Sequence, residues 1–238
     1  MSIFVPKTGN SLTVTSPETM YGTIEELGFV PFFENPIPGF SIEERTPREY
    51  WFDGEEDLLG PWDWKIFSVQ SGDIAYGKFL WGGKAAFATV QWYAELMNYR
   101  RSLPKYTPTE EQRRVLALME EQGSISIRDI RKLLDVKKSA ADALMTRLQM
   151  QCRVVTGDIT RVYRGPDLHY NGWQVSSFCS PEALFCVDAL PGPGGFPFGE
   201  PRTLEVGHSP AESLERLVEH IRSIAPEATE KQILKMLG

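Results

Sequence analysis

Apolar positions between residues 107 and 178 recur with two different periods, and the change of period organises the chain. Val115, Leu116, Leu118 and Met119 recur at helical spacing, as do Ile127, Ile130, Leu133 and Leu134, and then Ala140, Ala143, Leu144 and Leu148. Steps of three and four place each set on one side of a helix. Thr107-Pro108-Thr109-Glu110 predicts an N-cap, a proline at the first helical position and a glutamate at the third, and Gly123 marks the end. Ser126 caps the second helix, and Asp135-Val136-Lys137 is a short turn into a third over residues 139–150. That spacing leaves Lys138, Asp142, Met145, Thr146 and Gln149 toward solvent. Residues 152–159 and 172–178 then alternate or run apolar as strands. Between them lie Arg161, Arg164, Gly165-Pro166-Asp167 and His169. Helix, helix, helix, strand, wing, strand predicts a winged helix-turn-helix, whose third helix suits a major groove and whose wing suits phosphates.

The flanking stretches read as attachments to this unit. Residues 1–19 show no sustained period and are expected as an arm or a short strand against the body. Residues 23–27 open a short helix that Pro31, Pro36 and Pro38 close, and residues 29–40 are expected to be irregular. Pro61-Trp62-Asp63-Trp64-Lys65 starts a short helix with Trp64, Phe67 and Ser68 on one face. Residues 75–80 and 85–88 flank a Gly-Gly turn as a β-hairpin. Gly82-Gly83-Lys84 is followed by Ala85, so it lacks the Walker pattern of a phosphate loop. Thr89 caps a helix through Asn98 that is apolar at Val90, Tyr93, Ala94 and Met97 and ends on Arg100 and Arg101. Residues 190–199 are a Pro/Gly loop. Ser209 with Pro210 starts an amphipathic helix carrying Leu214, Leu217, Val218 and Ile221, and a last helix spans 229–237. The predicted class is α+β, with three regions. These are an aromatic-rich α+β region with a β-hairpin (1–103), a winged helix-turn-helix (104–180), and a loop with C-terminal helices packed on the body (181–238).

Composition narrows the function classes. At 42% apolar and 24% charged, general disorder is excluded. No apolar run reaches about 18 residues and the first twenty lack a charged-then-apolar pattern, so neither a membrane span nor a secretion signal is expected. Cys152, Cys179 and Cys186 are odd in number and His169, His208 and His220 fall in no ligand spacing, so a reduced, cytoplasmic protein without metal or cofactor is expected, its thiols buried. The net charge of −7 opposes nucleic-acid binding as a whole, but it is segregated. Residues 100–164 hold 14 basic and 8 acidic residues, against 11 and 24 in the remainder. A basic zone in an acidic chain is a usable electrostatic footprint. Trp62, Trp64, Trp81 and Trp92 read first as core, although rings interleaved with Lys and Arg also suit stacking on splayed bases.

Pro61-Trp62-Asp63-Trp64-Lys65, Tyr76-Gly77-Lys78-Phe79, Lys84-Ala85-Ala86-Phe87, Asn98-Tyr99-Arg100-Arg101, Leu148-Gln149-Met150-Gln151 and Asn171-Gly172-Trp173 follow in an order that resembles bacterial AlkZ-related proteins. That family is named for similarity to the winged-helix DNA glycosylases AlkZ and YcaQ. The resemblance implies a winged helix connected with DNA and with excision of alkylated bases. Gln149-Met150-Gln151 looks like the Gln-aliphatic-Gln motif of those glycosylases, which lies nearer their N-terminus.

Three functions are therefore expected to compete. In a double-stranded-DNA-binding module, Lys137, Lys138, Thr146 and Arg147 approach the groove, Arg161 and Arg164 contact phosphates, and Arg100 and Arg101 extend the basic zone. In a glycosylase, Gln149 and Gln151 hold the attacking water, with Trp173 or Tyr163 near the lesion. In an interaction scaffold, the acidic surface and terminal helices bind protein, with Ile233, Leu234 and Leu237 open to a homodimer partner. The carboxylates Asp63, Glu95 and Asp158 show no pairing by spacing.

Overall fold

The computed structural model describes residues 12–52, 59–186, 190–191, 197–198 and 203–238. Helix α1 (Pro17–Leu27) starts earlier than its apolar period indicates, because Ser16 and Thr19 close a reciprocal capping box around Pro17 at the first turn. Gly28 then takes a left-handed conformation, with φ 67°, and turns the chain into strand β1 (Phe29–Pro31). This strand lies inside the stretch expected to be irregular; at three residues and ending in proline it is too short to show a period. After α2 (Ile42–Arg45) and α3 (Glu49–Phe52), α4 (Pro61–Gln70) begins on its proline. Trp64 and Ser68 are buried on it as expected, whereas Phe67 is exposed.

Strands β2 (Ile74–Leu80) and β3 (Lys84–Thr89) form the predicted hairpin across a tight turn at Trp81–Gly83, and β1 joins to give the antiparallel order β1-β3-β2. Helix α5 (Val90–Arg101) follows directly. Helix α6 (Glu110–Gln122) starts two residues later than Pro108 suggests, since Thr109 and Gln112 make the reciprocal cap that Thr107 and Glu110 were expected to make. Helices α7 (Ile127–Leu134) and α8 (Lys138–Met150) come next, then β4 (Val155–Arg164) paired antiparallel with β5 (His169–Cys179). The strands are longer than expected, so Arg161 and Arg164 lie in β4 and only residues 165–168 form the turn. Helix α9 (Pro181–Phe185), a two-residue pairing of β6 (Leu190–Pro191) with β7 (Pro197–Phe198), α10 (Pro210–Ile224) and α11 (Glu230–Leu237) complete the chain. Most of the expected Pro/Gly loop, and residues 1–11 of the expected arm, lie outside the described residues.

The architecture is mixed α+β, and the described residues form two principal cores and a small third cluster of Ile66, Val69 and Ile159. The larger surrounds the three-stranded sheet and takes in Phe29, Phe79, Phe87 and Tyr93, with Leu217 and Ile221 of α10 and Ile233, Met236 and Leu237 of α11. Ile233 and Leu237, expected to be open to a second copy, are therefore interior to this chain, and only Leu234 of that trio is exposed. The smaller core joins α6, α7, α8 and the hairpin through Val115, Met119, Ile130, Met145, Leu148 and Phe178. Cys152 and Cys179 are buried as small apolar residues, whereas Cys186 is exposed. Among the described residues no helix is long and apolar enough to cross a membrane.

Candidate nucleic-acid interface

The inward face of α8 differs from the predicted stripe. Ala141, Met145, Leu148 and Gln149 are buried, while Ala140 and Ala143 are exposed and Leu144 is only half-buried. The reason is a second packing partner, since α8 lies between the small core and strand β2. Two glycines permit the approach. A Cβ on Gly77 would stand 2.6 Å from Gln149 Oε1, and one on Gly83 would stand 2.7 Å from Thr146 Cγ2. Consequently Lys138, Asp142, Met145, Thr146 and Gln149, the set expected in solvent, line a cavity of about 570 Å³. Its opposite walls are Tyr76, Gly77 and Lys78 of β2 and Trp173, Val175 and Phe178 of β5. Arg128, Lys138, Lys78 and Arg164 bring four cations to this lining, against one carboxylate, Asp142. Trp173 is 56% exposed, and Arg164 lies over its ring at 5.7 Å.

Gln149 has a defined role at the cavity floor. The pairing of β2 with β3 slips between Gly77 and Leu80, which leaves Lys78 outside the paired register. Gln149 Oε1 accepts the Lys78 backbone N–H at 2.6 Å and so satisfies a donor that the irregularity would orphan. Its Nε2 makes no hydrogen bond with another described residue. Gln151 does not join it. That side chain is buried at the end of α8, donates to Gln112 Oε1 at 3.0 Å, and has an Oε1 with no partner among the described residues.

The remaining expected contacts are dispersed. Lys137 is exposed at the N-cap of α8, beside the cavity. Arg147 lies on the other side of α8, in a separate depression with Ala140, Ala143 and Leu144. Arg100 is completely buried and donates to the carbonyls of Met150, at 2.7 Å, and Leu237. Arg101 donates to Cys152 O and pairs with Glu182. Both are braces between α5 and the ends of α8 and α11 or α9, and Arg100 has no surface left for phosphate.

Arg161 faces the body, not the turn at residues 165–168, and completes a polar cluster that spacing could not reveal. Asp63 Oδ1 accepts from Arg161 Nε at 3.0 Å, Tyr170 OH at 2.6 Å and Gln174 Nε2 at 3.2 Å. Burial opposes the Arg161 charge, but the hydrogen bond and charge of Asp63 outweigh it and hold its pKa above the ordinary value. Beside them Lys65 is 7% exposed, and burial pulls its amine down to about 8, with Asp63 opposing and Arg161 adding to the shift. Gln174 also lines the large cavity, so the cluster and the cavity share a wall. Among the described residues no three His, Cys, Asp or Glu side chains converge as a metal-ligand set.

No curated protein and no solved structure matches this chain. The family model described as AlkZ related matches residues 14–238, which includes α1, the three-stranded sheet and both C-terminal helices as well as the helix-and-hairpin unit. On that match over nearly its whole length, the chain belongs to the AlkZ-related family.

Proposed function

We propose that the chain binds double-stranded DNA through a winged helix formed by α6, α7, α8 and the β4–β5 hairpin, and that the cavity beside α8 receives an everted, damaged nucleotide. The observation that carries this reading is the cavity itself: four cations on its lining, an exposed tryptophan in its wall and the Gln149 amide, whose Nε2 has no partner among the described residues. Cations suit the phosphates that flank an everted nucleotide, Trp173 offers a stacking face, and amide and hydroxyl groups can hydrogen-bond a base edge. A volume of about 570 Å³ lies within the usual range for ligand sites. Membership of the AlkZ-related family supports a DNA-connected role.

Fluorescence anisotropy on a labelled duplex at two salt concentrations tests it. Four phosphate contacts give a slope of log affinity on log salt of about −3.6, so affinity falls roughly 100-fold between 50 and 200 mM salt. Lys138→Glu with Arg164→Glu removes two of the four contacts and is expected to reduce the slope to about −1.8 or less in magnitude. Affinity indifferent to salt and to both substitutions contradicts the reading.

Excision of an alkylated base is the second reading, and Gln149 favours it. A cationic alkylated base departs with little acid assistance, so polar groups that hold water near the sugar can suffice. Asp142 and the Gln149 amide both line the cavity, whereas Gln151 does not. Release of base from an alkylated duplex is therefore expected to disappear in Gln149→Ala and persist in a folded Gln151→Ala; the reverse pattern removes Gln149 from the chemistry.

A further inference from the structure

Lys65 has surroundings suited to an uncharged amine. It is almost fully buried, yet it makes no ion pair among the described residues, although Asp63 is two positions away. The Asp63 carboxylate is occupied by Arg161, Tyr170 and Gln174. Among the described residues Lys65 Nζ donates to two neutral oxygens, Trp62 O and Gln174 Oε1, the latter at 2.5 Å, and lies 5.4 Å from the centre of the Trp62 ring. A neutral amine has two N–H groups for those acceptors and one lone pair to spare; the third N–H of an ammonium would find no oxygen among the described residues, only the Trp62 ring. A lone pair held in this way is a nucleophile, the state that catalytic lysines reach by desolvation or a neighbouring cation, here Arg161.

Gln174 separates this amine from the large cavity, which it also lines. For Nζ to meet the cavity, that side chain must rotate away from Trp62 O, Asp63 and Tyr170, which it also contacts. A neutral amine reacts readily with an aldehyde, and intact DNA contains none, whereas an abasic site opens to a free aldehyde at C1′ of its sugar. Resting on the DNA-binding reading above, we propose that Lys65 is a nucleophile that captures the aldehyde of an abasic site as an imine. The Nζ lone pair forms a bond to C1′ as the carbonyl π pair moves to oxygen. Proton transfer from nitrogen to that oxygen gives a carbinolamine, and loss of water leaves the C1′=N imine. Hydrolysis of the imine by water returns amine and aldehyde. The reaction that must supply this substrate is base loss from DNA, by excision or spontaneously.

The test is reductive trapping on the full chain. Protein and a duplex carrying one abasic site are mixed with sodium borohydride, which delivers hydride to C1′ of the imine and makes the bond permanent. The adduct is located by peptide mass spectrometry, and binding of the same duplex is followed in parallel by anisotropy. The expected result is an adduct on Lys65 whose initial rate rises about tenfold from pH 6 to pH 7, as the neutral fraction of an amine titrating near 8 does. Lys65→Met should lose it. Because the site is read on the native chain, the result does not depend on that variant folding. Duplex binding without an adduct, or an adduct on the N-terminal amine or another lysine, overturns the assignment and leaves the DNA-binding reading standing. Absence of duplex binding overturns both.

Discussion

Replacement of Gly77 by alanine perturbs the contact that sets α8 against the sheet. The added Cβ falls 2.6 Å from Gln149 Oε1 and 3.3 Å from Phe79 Cδ1, so the glutamine must withdraw. Its withdrawal strips the Lys78 N–H of its acceptor at a position the β2–β3 register leaves unpaired. An orphaned donor costs about 1–3 kcal/mol. Alanine restricts the unfolded chain more than glycine does, and this offsets about 0.4–1 kcal/mol. The net loss is about 1–2 kcal/mol, and a chain of this size loses about 2–4 °C of melting temperature for each kcal/mol. Thermal unfolding of four proteins measures it: the natural chain, Gly77→Ala, Gln149→Ala and the double variant. In the Gln149→Ala background the clash is absent and the donor already unsatisfied, so Gly77→Ala becomes neutral or slightly stabilising. The two substitutions thus couple by about 1 kcal/mol or more. An equal penalty for Gly77→Ala in both backgrounds refutes the reasoning.

Other regions yield independent outcomes. Arg100→Met leaves the Met150 and Leu237 carbonyls without their buried donor and, at about 1–3 kcal/mol for each, is expected to cost about 2–5 kcal/mol in urea unfolding; a change below about 1 kcal/mol means that Arg100 is not a brace. Glu95, almost wholly buried, accepts from Ser213, His208 and Arg216, each at 2.7 Å. Burial opposes its charge, but these hydrogen bonds outweigh burial and hold its pKa below the usual 4.5. A carboxylate depressed on folding contributes stability above its unfolded pKa and loses it as pH falls through the folded value. The melting temperature should therefore drop on acidification below pH 4.5, and more steeply than in Glu95→Gln; parallel profiles contradict the assignment.

The helix-and-hairpin unit was legible because its elements carry their own punctuation: Ser126 capping α7, Gly123 ending α6, and a change from helical to alternating period after Gln151. The face of α8 was not. The burial of Gln149 reflects contact with β2, about 70 residues earlier in the chain, and propensity at a single helix does not reveal a second neighbour. Arg100 and Arg101 illustrate the same limit, since a basic helix end reads as a surface until its carbonyl partners from residues 150, 152 and 237 are known. The Asp63 cluster is assembled from residues about 100 positions apart, and no local spacing could pair them. Within Pro61-Trp62-Asp63-Trp64-Lys65 and Asn171-Gly172-Trp173, the resemblance marked the regions but not their meeting point.

The central claim, that the cavity beside α8 receives an everted nucleotide, is tested most directly by the ratio of affinities for two duplexes that differ by one mispaired base. Eversion from a mismatch costs less than from a Watson–Crick pair, and that difference enters binding only if the nucleotide leaves the stack. Reception of the everted nucleotide in the cavity gives tighter binding of the mismatched duplex by about tenfold, corresponding to roughly 1.4 kcal/mol. Equal affinities at every salt concentration would contradict it.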